Sequence, residues 1–207
     1  MKKISSLRTT NYVLCSSSGF TLIETLVAVS ILTMAIVAPM TLVSKSLSAA
    51  YYARDQIAAF HLAQEAIETV RHIRDHNILV TALDTPTDIL AGIPVGQRFI
   101  VDTRNDRIWD ETNWSTCLGG EVPPLKTDGT FHGHGDFPCE PNEPGWTPTR
   151  FTRYVEAIAV ASDENNIPQE IRISVTVTWR ASSLQLRSIT ISENLYRWVE
   201  DGSGAQP

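Results

Sequence analysis

The sequence predicts an α+β fold, a long N-terminal α-helix packed on a C-terminal antiparallel β-sheet, with the helix membrane-spanning in its first half and amphipathic in its second. Three observations carry this expectation. Residues Phe20 to Val43 form an apolar run of 24 with Glu24 as the sole charge, long enough to cross a bilayer of roughly 30 Å as a helix. The stretch after it keeps apolar residues at helical spacing, and the last third of the chain alternates apolar and polar with a period of two. With 207 residues the chain has room for one domain with decoration, not for a large multidomain enzyme. Its 43% hydrophobic and 19% charged content is that of a globular protein, which excludes a collagen-like fibre.

Residues 1–19 carry Lys2, Lys3 and Arg8 and no acid, the positive flank of a cytoplasmic end. A secretory signal peptide would need a shorter apolar core followed by a small-x-small cleavage site. Here the run is too long, and Ser16, Ser17, Ser18 and Gly19 lie ahead of it. Cys15 has no apolar core before it, which argues against a lipoprotein acceptor.

Gly19-Phe20-Thr21-Leu22-Ile23-Glu24, followed by the apolar run, resembles the class III leader junction of type IV pilins and type II secretion pseudopilins. The resemblance covers about 60 residues, from Gly19 to the end of the long helix. It implies cleavage after Gly19 by a prepilin peptidase and N-methylation of the new amine on Phe20, leaving 188 residues. The net charge then falls from −6 to −9, because the leader holds three cations and no acid. Further on, Phe60-His61-Leu62-Ala63-Gln64-Glu65-Ala66-Ile67-Glu68 is similar to the helix of minor pilins of the V and I classes. The resemblance also implies partners: other pilin subunits, an inner-membrane assembly platform and, before assembly, the membrane itself. It places the head outside the cytoplasm and implies no cofactor and no catalytic residue.

Glu24 has two readings. A carboxylate inside an apolar span costs roughly 2.5–3.5 kcal/mol near the bilayer centre and calls for a partner. Locally, Thr21-x-x-Glu24 fits a helix capping box, and an acid in the first turn suits the helix dipole. In an assembly of parallel helices, Glu24 would neutralise the protonated Phe20 amine of a neighbouring subunit and set the axial register.

Beyond Val43, Leu47, Tyr51, Ile57, Phe60, Ile67, Val70 and Ile73 continue a helical stripe. Asn77 is the predicted stop, giving segments 20–43 and 44–77. Pro39 removes one N–H and crowds the carbonyl of Ala35, so a kink or a locally melted turn is expected there. It reads equally well as a tolerated membrane kink or as a point where the helix stretches on assembly.

The head is expected over 78–200. Arg98 to Thr103 is a candidate strand. Residues 112–149 hold six of the eleven prolines and six of the eleven glycines, which predicts an irregular insertion. Within it Cys117 and Cys139 are the two cysteines of the processed chain, and an even pair outside the cytoplasm suggests a disulfide. His132, His134 and Asp136 are competent metal ligands, but their spacing matches no established motif; exposed histidines on a glycine-rich loop tip are the plainer reading. Over 150–195 an antiparallel meander of three or four strands is expected, with Ile171, Ile173, Val175, Val177 and Trp179 on its core face. The shift in apolar parity from Leu184 and Leu186 to Ile189 and Ile191 predicts a bulge near Arg187 or a slipped register. Residues 201–207 read as a disordered tail.

Three functions are compatible with these features. The first is a structural subunit, a minor pilin or pseudopilin, of a type IV pilus-like or type II secretion filament. The second is an uncleaved single-pass membrane protein that displays a disulfide-closed loop for ligand or metal. The third is a competence pseudopilin in DNA uptake, which the charge of −9 disfavours as a phosphate-binding surface, so nucleic acid is not the expected partner.

Overall fold

The computed structural model describes residues 19–83, 88–118, 120–140, 143–181 and 185–197, with 115–118 as backbone alone. Two compact units share the first helix, one comprising residues 1–49 and the other residues 50–207.

Helix α1 runs Leu22–Ala82. In the first unit every described residue is exposed, including Leu26, Ile31, Met34, Ile36 and Val43. This part of α1 is long and apolar enough to cross a membrane. Serine and threonine hydroxyls along it turn back onto helix carbonyls: Ser30 to Val27, Thr33 to Ser30 and Thr41 to Ala38, each at 2.8 Å. They thereby leave no bare donor on an apolar surface. The backbone stays helical through Pro39, so a locally melted turn is not formed there.

In the second unit α1 buries one face. Ala59, Leu62, Ala63, Ala66, Ile67 and Val70 recur at helical spacing and enter the hydrophobic core. Asn77 does not end the helix, which continues to Ala82. Its side-chain amide instead donates to the carbonyls of Ile89 (3.1 Å) and Ala91 (2.9 Å), anchoring the returning chain. An asparagine stops a helix by turning onto its own backbone, and here distant carbonyls compete for it.

The sheet has seven antiparallel strands: β1 (Arg98–Asp102), β2 (Arg107–Asp110), β3 (Pro124–Thr127), β4 (His132–Gly133), β5 (Thr147–Ser162), β6 (Pro168–Arg180) and β7 (Leu186–Tyr196). β5 is central. One of its edges pairs with β6 over nearly its whole length, and its other edge serves β3 at residues 147–152 and β1 at residues 155–156. Ile171, Ile173, Val175, Val177 and Trp179 are all buried, as the alternation of β6 predicts. Phe99, Val101, Leu125, Val155 and Leu195 complete the core beneath α1.

Two expectations change. β7 pairs with β6 in unbroken register from Glu170↔Tyr196 to Arg180↔Leu186, so there is no bulge near Arg187. Ile189 and Ile191 face the core beside Val177 and Val175, whereas Leu186 is 67% exposed and stands opposite solvated Arg180. The parity shift at Leu186 thus marks an outward leucine and not a register slip, Leu184 lying outside the described residues; register shifts fall instead in the pairing of β5 with β6, between Ala159 and Ser162, and with β3, between Pro124 and Lys126. The 112–149 insertion is also more regular than its proline and glycine content suggests. It contributes helix α2 (Glu111–Leu118), β3 and β4. Pro124 is the first residue of its strand, the position where a missing N–H is tolerated. Residues 1–18 of the expected leader 1–19, and the expected tail 201–207, lie outside the described residues.

Candidate functional site

The first candidate site is the start of α1. Gly19, Phe20 and Thr21 precede the helix, and the Thr21 hydroxyl accepts the Glu24 N–H at 3.3 Å. Thr21 is therefore the N-cap, which forms one half of the expected capping box. The Glu24 carboxylate has no ion-pair partner among the described residues, and the Phe20 ring is 79% exposed. The Gly19–Phe20 peptide bond lies outside the helix and is exposed, the condition a protease needs. A Cβ built on Gly19 would meet nothing within 4 Å, so packing within the monomer does not demand glycine here. The arrangement presents a cleavable bond, a hydrophobic first residue, and an acid one helical turn later on an exposed apolar helix.

The second candidate is the glycine- and histidine-containing stretch of the insertion. The exposed-histidine reading is overturned at one position: His134 is wholly buried, its ring edge-on to Trp109 at 6.4 Å between centroids. Neither ring nitrogen has a hydrogen-bond partner among the described residues. Burial, reinforced by the cations of Arg153 and Lys126, pushes the imidazole down to about 3. His132 is half-buried and pairs in β4, while exposed Asp136 meets Arg107 at 3.3 Å. Among the described residues no group of three or more His, Cys, Asp or Glu side chains is placed to hold a metal.

What the glycines do is admit two carboxylates. A Cβ on Gly133 would sit 2.5 Å from Asp102 Oδ1, and one on Gly135 would overlap the Glu143 carboxylate. Asp102 accepts the His134 N–H at 3.3 Å, and Glu143 accepts the Asp136 N–H at 2.8 Å. Glu143 also pairs with the fully buried Lys126, whose ammonium donates to Glu143 Oε2 (3.0 Å) and to the Phe137 carbonyl (2.8 Å). Burial raises the Glu143 carboxyl, but the Asp136 N–H and the Lys126 ammonium outweigh it and hold the group below the usual carboxylate range. Beneath this layer Arg153 is buried and bridges three elements. It donates to the carbonyls of Leu62 in α1 (2.8 Å) and Val101 in β1 (3.0 Å). Burial lowers its pKa, opposed by Glu65 and Asp102.

Sequence reasoning missed Lys126, Glu143, Arg153 and Asp102. The only local signal was the spacing of two glycines, which shows that something approaches the backbone but not what. Cys139 is half-buried, with Sγ 3.9 Å from the Trp114 carbonyl oxygen on α2, the helix that also contains Cys117.

Residues 15–38 match the family model described as the prokaryotic N-terminal methylation motif. Over this N-terminal stretch the chain is similar to type IV pilins and pseudopilins, and a long N-terminal helix with a C-terminal antiparallel sheet is a pilin-like α+β arrangement. Among the described residues one helix, near the N-terminus, is long and apolar enough to cross a membrane, which fits a single-pass, membrane-anchored pilin-like protein. No curated protein and no solved structure matches the chain at a significant level.

Proposed function

We propose that this protein is a minor pilin or pseudopilin, a structural subunit of a type IV pilus-like or type II secretion filament. A prepilin peptidase cleaves it after Gly19, the Phe20 amine is methylated, and the subunit waits in the inner membrane until an assembly platform extracts it. The observation that carries this reading is the junction itself: an exposed Gly19–Phe20 bond with the Glu24 carboxylate, which has no ion-pair partner among the described residues, one turn further along an exposed apolar helix. An acid without a partner at that depth is costly, and a filament of parallel helices supplies one in the neighbour's Phe20 amine. The similarity of residues 60–68 to the V and I classes favours a minor subunit over a major one. Pro39 bends the helix or lets it stretch on assembly.

The head is exported and closed by a Cys117–Cys139 disulfide. The position of Cys139 against α2 supports that pairing. For a loop of about 20 residues the bond contributes roughly 3 kcal/mol.

The test is the intact mass and N-terminal sequence of the chain coexpressed with a prepilin peptidase. The expected product begins at methylated Phe20 and is two hydrogens lighter than the dithiol form. An intact N-terminus beside an active peptidase overturns the assignment and leaves a membrane-anchored binding head. Retention of both thiols in exported protein removes the disulfide alone.

A further inference from the structure

His134 is a buried titratable ring that the filament role does not use. It belongs to the segment Phe131–Glu140, none of whose residues is part of the hydrophobic core. Near its end the segment is anchored through the half-cystine Cys139, and ahead of that it is held by polar ties. The Thr103 hydroxyl donates to the His132 carbonyl (2.7 Å), the Thr127 hydroxyl to the Phe131 carbonyl (2.9 Å) and Lys126 to the Phe137 carbonyl (2.8 Å). In the other direction, the His134 and Asp136 N–H groups donate to Asp102 and Glu143. The apolar strands β5, β6 and β7 carry the core without it.

A proton on the His134 ring has no favourable place to go while the segment is closed. Lys126 from β3 and Arg153 from β5 oppose it. The Trp109 ring from β2 offers no acceptor. Asp102 from β1 is taken by the backbone N–H groups of Arg104 and His134, and Glu143 by Lys126 and Asp136. Glu65 from α1 faces Arg153, and Asp136 is outside with Arg107. An imidazolium is therefore driven toward water, and the 3.3 Å bond from the His134 N–H to Asp102 is the backbone tie that opposes its exit.

We propose that Phe131–Glu140 is an acid-released segment: protonation of His134 detaches it from β1 and β3 while β5, β6 and β7 remain paired. Released, it carries away two exposed aromatic side chains, Phe131 and Phe137, and so changes the surface the head presents. The sign follows from linkage. The closed form keeps His134 neutral and the open form lets it titrate near its ordinary value of about 6.5, so closure is fully favoured above that pH and is lost as pH falls below it. Each further unit shifts the opening equilibrium about tenfold, which amounts to about 30-fold between pH 7.5 and pH 5.

The experiment is hydrogen exchange, read by mass spectrometry and corrected for intrinsic rates, on the full chain in detergent micelles at pH 7.5 and 5. Peptides within 131–140 are expected to lose about 30-fold in protection, with β5, β6 and β7 unchanged. In His134→Leu this pH dependence should vanish. An equal loss across the three strands, no loss at all, or a loss that persists in His134→Leu overturns the proposal. Should that variant fail to fold, the wild-type ring is followed by NMR instead. A His134 ring that titrates near its ordinary value inside a still-protected segment refutes the idea; a ring that takes its proton only as protection is lost supports it. These readouts are independent of the N-terminal assignment, since cleavage at Gly19 does not touch the segment.

Discussion

The buried Lys126–Glu143 pair offers a sharp energetic test of the head. Lys126 is fully buried, and its ammonium has two acceptors, one charged (Glu143 Oε2, 3.0 Å) and one neutral (the Phe137 carbonyl, 2.8 Å). Glu143→Gln is nearly isosteric and leaves an oxygen for the Asp136 N–H, so it removes the charge and little else. Stranding a buried ammonium in this way is expected to cost about 3–5 kcal/mol. Adding Lys126→Met removes the stranded charge and should recover most of that loss, a coupling of about 2–3 kcal/mol between the two positions. The assay is urea unfolding of the full chain in detergent, followed by tryptophan fluorescence, with the two single variants and the double variant compared. A loss below about 1 kcal/mol for Glu143→Gln, or strictly additive variants, would show that water already shares the pair and that the buried cluster is wrongly described.

Three further outcomes are expected. Gly135→Ala should destabilise the head more than Gly129→Ala: both have positive φ (71° and 95°), a strain of about 1–2 kcal/mol, but only at Gly135 would the methyl displace the Glu143 carboxylate; equal midpoints in urea would contradict this. Ile173→Ala, deep under α1, should cost about 2–5 kcal/mol, and Ile158→Ala, about half exposed, should fall within about 0.5 kcal/mol in the same assay. Glu24→Gln retains the Thr21 cap and should be processed at Gly19 normally, yet it should be absent from sheared filament fractions by immunoblot; normal incorporation would assign Glu24 to capping alone.

The sequence by itself determined the parts whose physics is local or one-dimensional. An uninterrupted apolar run sets the membrane-competent half of α1 whatever surrounds it, and the Gly19 to Glu24 junction lies within six consecutive residues. The two-residue period of Ile171 to Trp179 likewise identifies the buried face of β6, because alternation follows from strand geometry alone. Only the tertiary structure decided where β7 pairs, since the outward Leu186 imitates a register slip until its solvated partner Arg180 is seen. It decided equally that α1 continues past Asn77, whose amide is claimed by carbonyls twelve and fourteen residues away. The same holds for the cluster around His134. Asp102, Lys126, Glu143 and Arg153 come from separated parts of the chain, and a charge is stable in the interior only when its partners arrive from such distances. In sequence His134 looks like any histidine between glycines. Burial is a property of the whole assembled head, and it is burial that makes this ring sensitive to acid.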